Sequence, residues 1–155
     1  RLRAAIAEKF DLEPERLVFG AGSDEIFAMA SQAYLGEGDN AVQPQYGFAA
    51  WAIAVQAAGA NIRSAPEPDY VVDIDAVLEA VDSRTRVVFI ANPANPTGTW
   101  LPFSAIAAMA KVVATDAAMA VTMTGNHNPE LTCPVAVLIA NTIAGNSPPN
   151  QPVPI

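Results

Sequence analysis

The segment Arg86–Ala91 constrains the fold of this chain more than any other stretch of its sequence. Its interior, Val-Val-Phe-Ile, is continuously apolar. A strand that is apolar on both faces is typical of a parallel sheet covered by helices on both sides, because each face then contacts apolar side chains. The segment therefore predicts a buried strand within an α/β domain.

Helix and strand signals alternate through the first 103 residues. Apolar residues four apart at Leu2, Ile6 and Phe10 mark one face of a helix. Because parallel strands need crossover helices, the alternation predicts a three-layer α/β fold with a mainly parallel sheet. The predicted helices are Leu2–Phe10, Asp24–Tyr34, Gly47–Ala58 and a segment capped by Asp73 or Asp75 that runs to Val81. The predicted strands are Arg16–Phe19, Asn40–Gln43, Ala60–Ala65 and Arg86–Ala91.

Composition excludes several classes of protein. The chain has 155 residues, which is enough for one ordinary domain. Hydrophobic residues make up 52% of the chain and charged residues 15%. Disordered chains have few hydrophobic and many charged residues, so this composition disfavours a disordered protein. Sixteen Asp and Glu against eight Lys and Arg give a net charge of −8, which disfavours nucleic acids and anionic membranes as partners.

Cysteine and histidine usage sets further limits. The single cysteine, Cys133, cannot form an internal disulfide, which fits the reducing cytoplasm. The single histidine, His127, leaves no Cys/His cluster for zinc, and no run of 18 apolar residues predicts a membrane-spanning helix. The chain starts at Arg1 without a signal-peptide pattern, and we expect it to be a piece of a longer protein.

The first candidate site is the glycine-rich segment Gly20–Glu25. A strand that enters such a turn and then a helix offers unpaired backbone N–H groups to an anion, most naturally a phosphate. The segment is similar to the dinucleotide-binding pattern G-x-G-x-x-G, but Glu25 replaces the third glycine, which that site needs for close packing. The alternative is a tight turn in which Ser23 caps the following helix.

Two further candidate sites follow predicted strands. Tyr46, in Pro44–Phe48, would lie at the carboxyl edge of the sheet, where a ring can stack on a flat ligand. The alternative is a tyrosine half-buried beneath a loop. The segment Asn92–Gly98 contains two X-Pro steps and a terminal glycine, which predict a rigid loop whose Asn amides can donate to a ligand oxygen. Its alternative is a structural turn.

Together these motifs resemble the fold-type I aminotransferases that depend on pyridoxal 5′-phosphate (PLP), and among them most closely the histidinol-phosphate aminotransferases. The resemblance spans about residues 2–103, and Gly20–Glu25 and Asn92–Gly98 carry most of it. It implies that this chain is part of a PLP-transferase large domain. For the full-length family it implies an amino donor and a 2-oxo acid as substrates, and a homodimer as the assembly.

The resemblance also implies roles for individual residues. The backbone at Gly22, Ser23 and Asp24 would hold the cofactor phosphate, as the helix terminus already suggests. Tyr46 would stack on the pyridine ring, and Asn95 would hydrogen-bond the phenolic oxygen of that ring. In the family, a lysine forms the Schiff base and an aspartate pairs with the pyridinium nitrogen.

After Phe103 the resemblance fades, and residues 104–155 are predicted to be a divergent tail that fits a frameshifted reading or poor order. Residues 112–118 faintly resemble the family's aspartate strand, which makes Asp116 the candidate partner of the pyridinium nitrogen; the alternative is an ordinary exposed aspartate. The family's Ser-x-x-Lys motif does not occur. The only lysines are Lys9 and Lys111, and neither stands at the matching position, so no catalytic residue is assigned.

Two functions remain open on this sequence. One is PLP-dependent transamination in amino-acid and histidine biosynthesis. This chain would then be an inactive fragment of such an enzyme, because it lacks the Schiff-base lysine. The other is a non-catalytic α/β module that binds a phosphate or a cofactor without turnover.

Overall fold

The computed structural model describes residues 1–115 and 136–140. In this part of the chain the helices are α1 (Leu2–Phe10), α2 (Ser23–Tyr34), α3 (Ala49–Ala57), α4 (Ile74–Ala80) and α5 (Phe103–Thr115). The strands are β1 (Asn40–Pro44), β2 (Asn61–Ala65), β3 (Thr85–Ala91) and β4 (Ala136–Ala140). Short 3-10 turns lie at Pro14–Arg16 and Pro68–Tyr70.

The strands form one sheet in the order β2-β1-β3-β4, and every pairing in it is parallel. Val42 of β1 is in register with Arg63 of β2 on one side and with Val88 of β3 on the other. The chain therefore runs from β1 outward to β2 and then crosses back over β1 to reach β3. The prediction of a mainly parallel α/β sheet is confirmed.

Helices cover both faces of the sheet, because alternate residues of β3 point in opposite directions. Val87 and Phe89 pack with residues of α2 and α3, whereas Val88 and Ile90 pack with residues of α4 and α5. All four of these side chains are fully buried. The continuous apolar run is thus explained by burial on two faces, and the three predicted layers are present.

An aromatic cluster fills the face between the sheet and the helices α2 and α3. The rings of Trp51 and Phe89 are stacked, with centroids 5.4 Å apart, and Phe27 meets both of them edge-on. Such contacts add stability beyond the area that they bury. The cluster fixes the position of α3 directly beneath the loop that follows β1.

A polar network around Asp82 stabilises the edge of the sheet at which the strands begin. The Asn40 amide donates to the Asp82 carboxylate at 2.8 Å, and the Thr85 hydroxyl donates to the Asn40 side-chain oxygen at 2.7 Å. Arg63 forms an ion pair with the same carboxylate. The network joins the starts of β1, β2 and β3.

The predicted strand at Arg16–Phe19 is wrong. Residues 17–20 have no regular structure and pair with no strand in the described part of the chain. The Arg3 guanidinium donates to the carbonyl oxygens of Pro14 and Leu17 at 2.9 and 2.5 Å and lies over the Phe19 ring. Those backbone groups are tied to α1 rather than to a sheet.

At two helices, the structure shows which residue is the N-cap. Gly22, with φ of 83°, is the N-cap of α2, and Ser23 is its first helical residue rather than its cap. A residue with a Cβ rarely adopts that φ, which explains the choice of glycine. At α4, the cap is Asp73 rather than Asp75, and its carboxylate accepts from the N–H groups of Asp75 and Ala76.

Part of the predicted tail belongs to the fold. Residues 103–115 form α5, and Ile106, Met109 and Val113 are buried in the core, so poor integration does not hold for this helix. Residues 112–115 are helical and not part of an aspartate-bearing strand. The domain boundary at Phe103 stays a prediction, and Asp116, His127 and Cys133 lie outside the described residues.

Candidate functional site

A shallow cleft opens at the carboxyl edge of the sheet, where β1, β2 and β3 end. Its enclosed volume is only about 10 Å³, and the rest of the cleft is open to solvent. It lies where the chain reverses its direction across the sheet, which is where open α/β folds bind ligands. Its lining residues are Pro44, Tyr46, Gly47, Trp51, Glu67, Val72, Ala91, Ala94 and Asn95.

Tyr46 follows β1 directly and reaches the wall of this cleft. Its side chain is 39% exposed, and its ring lies beside that of Tyr70, with centroids 5.0 Å apart and planes tilted by 38°. Its backbone N–H donates to the carboxylate of Glu67. A partly exposed ring that contacts Tyr70 on one side leaves aromatic surface available to a flat ligand.

Gly47 allows the turn after Tyr46 to pack closely on α3. A Cβ at this position would lie 2.9 Å from the Pro44 carbonyl oxygen and 3.1 Å from the Trp51 ring. Those distances are too short for any side chain, so the turn needs glycine here. The Trp51 indole N–H is buried and has no hydrogen-bond partner among residues 1–115 and 136–140.

The loop after β3 places Asn95 in the same cleft as Tyr46. The peptide bonds Asn92–Pro93 and Asn95–Pro96 are both cis. Asn92 is used inside the loop, because its side chain donates to the Leu101 carbonyl oxygen and accepts from the Leu101 N–H. Asn95 makes no such internal bond among the described residues and is exposed, so its amide remains available to a ligand.

The glycine-rich segment contributes no residue to the lining of this cleft. Gly22, Ser23 and Asp24 are exposed at the start of α2 and do not line the cleft that holds Tyr46 and Asn95. No side chain of the described residues caps the helix, although the Glu25 carboxylate accepts from the Ala21 N–H. The first amides of α2 therefore keep the unpaired donors that an anion can use.

Three residues of the site were missed by sequence reasoning. Glu67 is only 5% exposed and stands between Pro66 and Pro68 just after β2, a signal that could have pointed to it. Tyr70 has no such local signal, because its partner Tyr46 lies in a distant part of the chain, and Trp51 simply belongs to the apolar pattern of α3. Among the described residues, Glu67 is the only one with a formal charge that lines the cleft.

The two lysines of the chain lie away from this cleft. Lys9 is near the end of α1, and Lys111 is an exposed residue of α5. Across residues 1–115 and 136–140, no three His, Cys, Asp or Glu side chains are grouped so that they could hold a metal ion. Within the same residues, no helix combines the length and hydropathy needed to cross a membrane.

A parallel α/β sheet with Tyr46 and Asn95 at one edge matches a known class of enzyme. The family model for the class I and II aminotransferases matches residues 1–130. The chain belongs to this family. The sequence resemblance is thereby confirmed, and the match continues past Phe103.

Within this family, the chain is similar to curated histidinol-phosphate aminotransferases. The chain is 60% identical over 108 residues to histidinol-phosphate aminotransferase 1 of Caulobacter vibrioides, and 51% identical over 109 residues to the histidinol-phosphate aminotransferase of Dinoroseobacter shibae. Each alignment covers 70% of this chain and 30% of the relative. The chain thus spans about 30% of the length of these relatives.

Solved structures agree with the sequence comparison. The histidinol-phosphate aminotransferase of Sinorhizobium meliloti, solved in complex with PLP, has a TM-score of 0.69 at 25% identity over 76% of this chain and 33% of its own. The aromatic aminotransferase of Pyrococcus horikoshii has a TM-score of 0.67 at 27% identity, covering 76% of this chain and 35% of its own. An aspartate aminotransferase of Thermus thermophilus, at 23% identity, shares the fold over 92% of this chain and 42% of its own, with a TM-score of 0.72.

Proposed function

We propose that this chain forms the cofactor-binding edge of a PLP-dependent aminotransferase of histidine biosynthesis, which transfers an amino group between histidinol phosphate and a 2-oxo acid. The observation that carries the proposal is that Tyr46 and Asn95 line one cleft at the carboxyl edge of the sheet. The 60% identity to a histidinol-phosphate aminotransferase supports the choice of amino donor. A cytoplasmic homodimer is the form that we propose for the full-length enzyme.

The residues of the cleft fit a flat, polar ring. Tyr46 supplies an aromatic face, and Val72 and Trp51 supply apolar surface. The Trp51 indole and the Asn95 amide are hydrogen-bond donors without a partner within the described residues. No Lys or Arg of the described residues lines the cleft, so other groups would bind the cofactor phosphate. The free backbone N–H groups at the start of α2 are suited to that role.

Each residue then has a defined task. Tyr46 orients the pyridine ring by stacking, and Asn95 donates its amide N–H to the phenolic oxygen of that ring. Backbone N–H groups at Ser23 and Asp24 bind the phosphate, whereas the Gly22 N–H already donates to the Gly20 carbonyl oxygen at 2.9 Å. PLP, when bound, supplies the electron sink that amino-group transfer requires. Asp116 remains our candidate for the partner of the pyridinium nitrogen.

A second candidate function is cofactor binding without turnover by this chain alone. It is favoured by the positions of Lys9 and Lys111, since neither lines the cleft. Amino-group transfer in the family needs a lysine next to the reacting carbon of the cofactor. The full-length enzyme would supply that lysine from residues that this chain does not contain.

The test is to titrate the purified chain with PLP, reduce it with borohydride and map pyridoxyl-lysine by mass spectrometry. We expect saturable binding, only trace labelling shared by Lys9 and Lys111, and no turnover of histidinol phosphate with 2-oxoglutarate. Tyr46→Ala and Asn95→Ala should each weaken binding, by about two- to tenfold for the loss of the stacking ring.

The matched controls are Asn61→Ala, which removes an exposed amide from the start of β2, and Tyr46→Phe, which keeps the ring. Both should bind PLP like the wild type. Failure of the wild-type chain to bind PLP would refute cofactor binding. A stoichiometric adduct at Lys111 together with turnover would refute the second candidate and make the chain itself an enzyme.

A further inference from the structure

The loop between β2 and α4, residues 66–73, contacts Tyr46 at two points. Near its start, the Glu67 carboxylate accepts a hydrogen bond from the Tyr46 backbone N–H, across 21 residues of sequence. Farther along, the Tyr70 ring lies 5.0 Å from the Tyr46 ring. One loop therefore holds both the backbone and the ring of the residue that we assign to cofactor stacking.

The burial of Glu67 indicates that its hydrogen bond to Tyr46 stabilises the folded chain. Glutamate is seldom buried without a partner, because removing a carboxyl group from water is costly unless hydrogen bonds replace the water. Glu67 is 5% exposed, and the Tyr46 N–H is the partner found for it among the described residues. A bond of this kind to a charged acceptor is stronger than one between neutral groups.

Tyr70 is held against Tyr46 by an unusual backbone and by a second loop. Asp69 and Tyr70 both have positive φ, 55° and 61°, a conformation that residues other than glycine adopt only when their surroundings impose it. The Thr99 hydroxyl donates to the Tyr70 carbonyl oxygen at 2.8 Å. The β2–α4 loop thereby links the loop that carries Tyr46 to the loop that carries Asn95.

We infer that Glu67 is a positioning residue that holds Tyr46 in its cofactor-stacking orientation, and that Tyr70 supports the same ring from the side. The identity of the stacked ring rests on the proposed function. Glu67 acts through the Tyr46 backbone, so its removal affects binding only while the Tyr46 ring is present.

The first test measures hydrogen exchange at the Tyr46 amide in the full chain without any ligand. Glu67→Met, which keeps the length of the side chain but has no acceptor oxygen, should speed exchange by about tenfold or more. Glu67→Gln retains an acceptor oxygen and should preserve protection. Glu79→Met, in an exposed position of α4, is the matched control. Unchanged protection in Glu67→Met would overturn the inference.

The second test measures PLP affinity in a double-mutant cycle. Glu67→Met should weaken binding by about two- to tenfold, the value of an aromatic contact, and should have no further effect in a Tyr46→Ala background. An equal loss in both backgrounds would show a general structural role and overturn the inference. Tyr70→Ala should weaken PLP binding while the Tyr46 amide stays protected, which tests the loop even if Glu67→Met does not fold.

The two tests separate this inference from the proposed function. If the wild-type chain does not bind PLP, the proposed cofactor is wrong, while the exchange rate of the Tyr46 amide still decides whether Glu67 holds that residue. If PLP binds but Glu67→Met changes neither exchange nor affinity, the proposed cofactor stands and the role of Glu67 is refuted.

Discussion

At the scale of single residues, Asp82 shows how one carboxylate can tie several strands together. Its hydrogen bond with the Asn40 amide, then that with the Arg84 backbone N–H, and then the charges of Arg63 and Arg84 lower its pKa from 3.8 to about 2. These partners favour the ionised form in the folded state. The carboxylate therefore stabilises the fold above the unfolded pKa, and this stabilisation is lost as the pH falls through the folded pKa.

Asp82→Asn should lower the free energy of unfolding at neutral pH and flatten its dependence on pH between about 4 and 2. The measurement is urea unfolding at a series of pH values, with the wild type and Asp75→Asn as references. Asp75 is an exposed carboxylate of α4 without these partners. A pH profile of Asp82→Asn that is as steep as that of the wild type in this window would contradict the assignment.

At the scale of elements, local chemistry predicted the starts of α2, α3 and α4 to within two residues, but it did not predict every strand. The start of α4 is readable from the sequence, because an aspartate followed by a helical pattern supplies the acceptor that the first N–H groups lack. The segment Arg16–Phe19 has an apolar pattern that suits a strand, yet a strand needs a neighbour. That segment has no strand partner among the described residues, and its backbone contacts Arg3 of α1 instead.

Asp73→Ala should destabilise the chain by about 1 kcal/mol, because the N–H groups of Asp75 and Ala76 lose their acceptor. Asp73→Ser should recover most of this loss, since a hydroxyl can also cap a helix. Thermal and urea unfolding, followed by circular dichroism at 222 nm, would measure both effects. The capping role would be refuted if Asp73→Ala and Asp73→Ser were equally stable.

At the scale of the whole molecule, the two faces of the sheet share the same strands. Phe89 packs with Trp51 on one face, and its neighbour Ile90 packs with residues of α4 and α5 on the other. Because neither side chain can lose its neighbours without moving β3, we expect the two faces to unfold together.

Ile90→Ala should lower the free energy of unfolding by about 2–5 kcal/mol and shift the transition reported by Trp51, although Trp51 lies on the opposite face. The experiment uses a Trp100→Phe background, so that Trp51 is the only tryptophan, and compares its fluorescence with circular dichroism during urea unfolding. Ile53→Ala, at a position that is 67% exposed, should change stability by less than about 0.5 kcal/mol. Separate midpoints for the two probes would contradict a single cooperative unit.

Much of this protein follows from its sequence alone. The alternation of apolar strands with helical segments, ended by glycines and prolines, determined the fold class and most element bounds, because propensity and periodicity act over a few neighbouring residues. The motifs at Gly20–Glu25, Tyr46 and Asn92–Gly98 determined the family, which the comparisons confirmed.

The resemblance had already predicted that Tyr46 and Asn95 share one site, whereas only the tertiary structure decided the strand order and the departure of Arg16–Phe19 from the sheet. It also revealed Glu67, whose partner lies 21 residues away in the chain. The physical reason is that pairing, burial and hydrogen bonds between distant segments depend on which surfaces meet after the elements form. Local patterns specify the elements and their apolar faces, but they do not specify which faces meet.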